Sequence, residues 1–216
     1  MLVAIAGGHG QIALHLTRML HGRGDRVRSL IRNPDHGDDV REAGGEPVVC
    51  DLEAADDQTV AQALEGADAV VFAAGAGPGS GPERKLTVDF GAAVKLLAAA
   101  EAAGVDRYLM ISTLGADRPD AHDEAMRPYF QAKADAEDAL RASGLAWTIV
   151  RPGSLTDDPG TGRVTLTEHL DGWGSIPRDD VAALLLAVLV DRAAVGRVLE
   201  VISGGTSIDD ALAPFR

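Results

Sequence analysis

The sequence predicts the α/β class: a doubly wound parallel sheet with helices on both faces, in a single domain over residues 1–216. Two observations carry that expectation. An apolar run, Leu2 to Ala6, enters Gly7, Gly8 and Gly10 directly, as a strand buried on both faces does when it leaves a parallel sheet. Strand-like and helix-like patterns then alternate about six times, which requires a sheet covered on both sides.

Each element follows from its local pattern. Gln11 to His21 carries Ile12, Leu16, Met19 and Leu20 at helical spacing. Arg26 to Ile31 reads as the second strand, stopped by Pro34. Asp35 to Gly44 reads as a short helix, Glu46 to Cys50 as the third strand, and a helical stripe runs from Thr59 to Leu64. Ala67 to Ala73 is a fourth strand, ending in the Gly/Pro/Ser loop Ala74 to Pro82. The longest helix spans Leu86 to Ala103, closed by Gly104. Asp106 to Ile111 is a fifth strand, Leu114 to Pro128 a loop, and Pro128 to Ser143 a helix. Leu145 to Val150 makes the sixth strand. Leu155 to Ile176 has poor periodicity and reads as loop with one extended piece, Arg163 to Thr167. A helix begins at Pro177, with Asp179 and Asp180 favourably placed in its first turn. Arg197 to Ile202 and Ile208 to Leu212 supply a last strand and a last short helix.

The chemistry starts at the first turn. Gly7-x-x-Gly10-x-x-Ala13 lies between strand and helix, where free N–H groups and the helix dipole receive a phosphate. Gly7 turns the chain, Gly10 admits a pyrophosphate, and Ala13 lets the helix pack closely on the sheet. Arg32 stands at the end of the second strand, where NAD sites carry an acid for the ribose 2′-hydroxyl. A guanidinium there grips a 2′-phosphate instead, which favours NADP, with NAD still possible. Asp51 either accepts from the adenine amino group or caps the helix beginning near Ala55; both readings stand. Small residues from Ala73 to Gly75 leave room for a cofactor ribose.

Tyr129 and Lys133 stand four apart on one helix face. An ammonium beside a phenol stabilises the phenolate and suits it to acid–base work. Ser112, ending the fifth strand, is placed to polarise a substrate carbonyl. The six histidines show no spacing with other ligands that marks a metal site. Trp147 reads as core, and Trp173, between two glycines, touches a ligand or pins a loop.

The net charge of −13 argues against a nucleic-acid surface. One cysteine, Cys50, leaves no internal disulfide, and a reducing, cytoplasmic compartment is expected. No apolar run reaches a membrane span of about 18 residues, and no signal-peptide layout precedes the first strand.

Taken together, Gly7 to Ala13, Ile31-Arg32-Asn33-Pro34, Asp51-Leu52, Phe72 to Gly75, Ser112-Thr113, Tyr129 to Lys133, Arg151-Pro152-Gly153 and Ile176 to Ala182 resemble the short-chain dehydrogenase/reductase superfamily. The resemblance is to its atypical branch of small NAD(P)H-binding proteins, related to nucleotide-sugar epimerases and the nitrogen-metabolite-repression regulator. It implies a Rossmann fold and cofactor contacts at Gly7, His9, Gly10, Gln11, Ile12, Arg32, Asp51, Leu52, Ala73, Ala74 and Gly75. It further implies Ser112, Tyr129 and Lys133 as the catalytic set, Lys133 also bonding the nicotinamide ribose, and Arg151 and Pro152 against the nicotinamide end. His9 departs from the commoner threonine of this turn. Substrate-pocket segments are expected in 75–85, 114–128 and 152–176, the last too short for a large nucleotide-sugar. The activity implied is an NADP-dependent oxidoreductase acting on a small carbonyl or related substrate. A cofactor-dependent epimerase and a non-catalytic NADP(H) redox sensor are the alternatives. A monomer or homodimer is expected.

Overall fold

The computed structural model describes residues 1–77 and 79–216; Pro78, within the expected pocket segment 75–85, lies outside the described residues. Its strands are β1 (Leu2–Ala6), β2 (Arg26–Ile31), β3 (Glu46–Val49), β4 (Ala69–Phe72), β5 (Arg107–Ile111), β6 (Ala146–Pro152), β7 (Ser154–Thr156), β8 (Arg163–Thr167), β9 (Ser175–Pro177), β10 (Arg197–Ser203) and β11 (Thr206–Ser207). Nine of them form one sheet in the order β11-β8-β10-β6-β5-β4-β1-β2-β3. From β3 to β10 all pairings are parallel. The order turns back on itself between β1 and β4, the place where open α/β sheets of Rossmann type leave a crevice.

Every residue of β1 and β5 is buried, because helices cover both faces. Against one face pack α1 (Gln11–Gly22), α7 (Arg178–Asp191) and α8 (Ile208–Leu212), through Leu16, Leu20, Leu185 and Val188. Against the other pack α3 (Asp57–Leu64), α5 (Ala93–Ala102) and α6 (Arg127–Arg141), through Val60, Leu96 and Leu140. A short α2 (Gly37–Glu42) follows a 3-10 turn, Pro34–His36.

Three departures from the sequence reading have local causes. The long helix starts earlier, at α4 (Pro82–Arg84), and is π-helical over Lys85–Ala92 before it becomes α5. The sheet is mixed at one edge, where β8 runs antiparallel to β10 and β11. The segment read as loop also holds β7 and β9, a two-stranded parallel ladder. Those two strands are three residues each, too short for an alternating pattern to register. Asp180 organises this region. Read as a dipole partner, it is buried, and its carboxylate accepts from the backbone N–H of Thr161 at 3.0 Å and Gly162 at 2.7 Å.

Candidate functional site

The site begins where β1 stops. Ala6 lies in register with Leu30 of β2 and Phe72 of β4, so Gly7 emerges between the ends of three strands. Gly7 has φ +76°, and a methyl group there would stand 2.7 Å from the Ala74 backbone; only glycine makes this turn without strain. α1 then starts at Gly10 with no side-chain cap and no acid in its first turn. Its first N–H groups and positive dipole end are left for an anion, which fits the diphosphate of a dinucleotide.

A cleft of about 270 Å³ opens over this turn. Gly7, His9, Gly10, Arg32, Asp51, Leu52, Ala73, Ala74 and Gly75, all expected at a cofactor, line it. So do Gly8 and Ile31, which lie in the quoted motifs but were given no contact, and Leu30, His36, Cys50, Glu53, Ala76, Arg84, Val88 and Ala92, which lie outside them. Burial pushes the Cys50 thiol up, and the neighbouring Asp51 carboxylate adds to the shift. The His9 ring stacks on His36 at 3.6 Å, and its Nε2 lies 2.7 Å from Asp39 Oδ2.

Asp51 does not cap the following helix. Asp56 does, accepting the Thr59 N–H at 2.7 Å, while Asp51 Oδ1 accepts the Glu53 N–H at 3.0 Å and shapes the turn. Four intervening residues put the cap where Asp51 cannot reach. That turn presents Glu53 to both Arg32, at 3.5 Å, and Arg84, at 3.2 Å.

Four other expected contacts lie away from the cleft lining. Gln11 borders a smaller pocket with His15, Thr156 and Arg178. The side chain of Ile12 is packed in the core. Pro152 is buried at the end of β6, its carbonyl accepting the Leu114 N–H at 2.9 Å. Arg151 is buried among carboxylates: its Nε and Nη2 donate to Glu137 at 2.9 and 2.7 Å, and Nη1 to Glu200 at 3.1 Å, with Asp117 at 3.5 Å. Burial pulls the Arg151 guanidinium down, but Glu137, Glu200 and Asp117 more than offset it, and the net shift is upward. Asp117, His169 and Glu200 also bring three ligand-type atoms within 4.8 Å of one another, a grouping their sequence separation hid. Glu200 is already committed there, to Arg151 through Oε1 and to the Leu170 N–H through Oε2 at 2.7 Å.

The expected catalytic residues stand beyond the cleft's Ala76 edge. Lys133 is buried; its Nζ lies 3.1 Å from Asp89 Oδ1 and 3.4 Å from the Ile111 carbonyl, one residue before Ser112. The Tyr129 ring centroid is 5.9 Å from Lys133 Nζ and 5.8 Å from Lys85 Nζ. Ser112 Oγ is buried with no hydrogen-bond partner among the described residues. Asp89, missed from the sequence, ties this group to the cleft: its Oδ2 accepts the Ala76 N–H at 3.3 Å. It sits in the π-helical stretch, and a single extra residue in a helical turn often marks a functional position. Beside the group, Trp173 meets His122 edge-on at 5.8 Å and stays 63% exposed, joining the 114–128 and 152–176 segments. Trp147 is half-buried against the core.

A family model described as NAD(P)H-binding matches residues 7–192. A Bacillus subtilis protein named as an uncharacterized sugar epimerase, YhfK, is 37% identical over 98% of this chain and 99% of its own. A Streptomyces griseus (4-alkanoyl-5-oxo-2,5-dihydrofuran-3-yl)methyl phosphate reductase is 30% identical over 93% of this chain and 67% of its own. Among solved structures, a Bacillus halodurans protein assigned by name to the NAD-dependent epimerase/dehydratases superposes with a TM-score of 0.93. It is 35% identical, with 99% of each chain covered. Among the described residues, no helix is long and apolar enough to cross a membrane.

Proposed function

The chain belongs to the NAD(P)H-binding family, and on that premise we propose that it is an NADP-dependent oxidoreductase acting on a small carbonyl or related conjugated substrate. The observation that carries the reading is the buried, partnerless hydroxyl of Ser112 beside Lys133. A buried polar group without a partner is costly, and a ligand oxygen would satisfy it. When bound, NADPH supplies the hydride. Gly7, Gly10 and the α1 N-terminus would hold its diphosphate, with Arg32 at the adenosine 2′-phosphate.

The remaining work falls to the chain's own side chains. Ser112 donates to the substrate oxygen and orients it. Tyr129 gives or takes the proton at its phenolic oxygen. Lys133 holds positive charge one turn away, and Asp89 fixes where that ammonium sits. Ala73 to Ala76 line the cleft, and the Ala76 N–H ties that lining to Asp89 of the catalytic group. The reductase name of the Streptomyces relative supports the reaction class.

The test is NADPH oxidation over a panel of aldehydes, ketones and enones, with Tyr129→Phe as control. Acid–base catalysis contributes about 100-fold or more, so Tyr129→Phe should lose at least that much turnover while keeping NADPH affinity. Undiminished turnover in that variant would overturn the mechanism. Tight NADPH binding with no turnover across the panel would favour the sensor. The epimerase name of the Bacillus relative favours a second reading, visible as substrate isomerised with no net NADPH consumed.

A further inference from the structure

Two arginines and one glutamate meet in the lining of the cleft. Arg32 comes from the end of β2, Arg84 from α4, and Glu53 from the turn after β3; all three line the cleft. Glu53 Oε2 lies 3.5 Å from Arg32 Nη1 and 3.2 Å from Arg84 Nη2, and its Oε1 accepts the Thr87 hydroxyl at 2.6 Å. Both arginine contacts are longer than the 2.7–2.9 Å of a strong charge-assisted bond. Their side chains are 54% and 40% exposed, and that of Glu53 30%. Ion pairs of this kind are weak and are exchanged at little cost. Among the described residues Arg84 Nε is buried without a partner, a donor still to be used.

We propose that Glu53 is an internal counter-anion, holding Arg32 and Arg84 together until the 2′-phosphate of NADP takes its place between them. The proposal rests on reading this cleft as an NADP site and adds two specificity-determining residues, Glu53 and Arg84. A phosphate brings more charge and more acceptor oxygens than one carboxylate, so it wins the two guanidinium groups. Thr87 gives the displaced carboxylate a partner to keep. Glu53 then opposes the phosphate by like charge, and NADP affinity is the outcome of that competition. NAD has no phosphate there and gains nothing from it.

The experiment titrates the full chain with NADPH and with NADH, comparing wild type, Glu53→Gln, Arg84→Ala and Arg32→Ala. Removing one negative charge a few ångströms from the phosphate should tighten NADPH binding about tenfold, with NADH within about twofold. Arg84→Ala should weaken NADPH about tenfold and spare NADH. Unchanged NADPH affinity in Glu53→Gln, or an equal shift for both cofactors, overturns the proposal. So does weaker NADH binding in Glu53→Gln, which would make Glu53 a ribose-hydroxyl acceptor. Arg32→Ala separates the two levels. Equal loss of NADPH and NADH there overturns the NADP reading itself, whereas selective loss of NADPH with no gain in Glu53→Gln overturns only the role of Glu53.

Discussion

At the Arg32 end of the cleft the charged groups are half-exposed and loosely paired, with Arg32 and Arg84 at 3.5 and 3.2 Å from one shared carboxylate. Around Lys133 and Arg151, beyond the cleft lining, they are sealed: Lys133 with Asp89, and Arg151 with Glu137 and Glu200, each side chain 6% exposed or less. The same residue types therefore serve opposite purposes. Water screens the exposed set, so its partners can be traded for a ligand's charge. The buried set has no substitute solvent, so losing one partner strands the other. One region of the molecule is built to exchange ions and the other to hold geometry.

Arg151→Met should separate the two regions most sharply. It leaves Glu200 buried with only the Leu170 N–H, while Glu137 keeps Arg141 at 2.6 Å, costing about 3 kcal/mol in urea unfolding. A loss below about 1 kcal/mol would show that the buried network is not what holds this region. Asp89→Asn comes next. It removes the counter-charge of Lys133 while keeping the shape, and about 2–3 kcal/mol should be lost. The double variant with Lys133→Met should recover part of that, a coupling of at least about 1 kcal/mol; strictly additive losses would argue that the 3.1 Å pair contributes nothing.

The Arg32 end predicts the reverse. Glu53→Gln, whatever it does to NADPH affinity, should move stability by no more than about 0.5 kcal/mol. The smallest effect is at Cys50, in the cleft wall. Burial, and then the Asp51 charge, raise its thiol above the ordinary 9.0. The folded protein therefore keeps the thiol protonated to higher pH than the unfolded chain. Its contribution to stability is fully present below pH 9.0 and is lost as pH rises through the folded value. Near pH 8, iodoacetamide should modify the native protein about tenfold more slowly than the urea-unfolded chain. Equal rates, with equal pH midpoints, would mean that the cleft wall opens to solvent.

Legibility in the sequence followed the range of the interactions. β1, the Gly7 turn and α1 came through because each is written in neighbouring residues: an apolar run, a left-handed turn, a helical stripe. Arg32 could be placed at the cleft because it lies one residue past a recognisable strand. Glu53, Arg84 and Asp89 could not, since each reaches its partner across 13 to 44 residues of chain. Arg151 shows the same limit from the other side. The Arg151-Pro152-Gly153 motif implied, through the family resemblance, a cofactor contact, while its surroundings, from Glu137 and Glu200, are set by α6 and β10.

By itself, then, the sequence determined the alternation of strands and helices and the phosphate-receiving turn, because apolar periodicity and glycine conformation act over a few residues. Only the tertiary structure decided which charges meet. Ion pairing depends on distances through space, and the stacking of strands in the order β3-β2-β1-β4-β5-β6 brings together carboxylates and cations that the chain itself keeps apart.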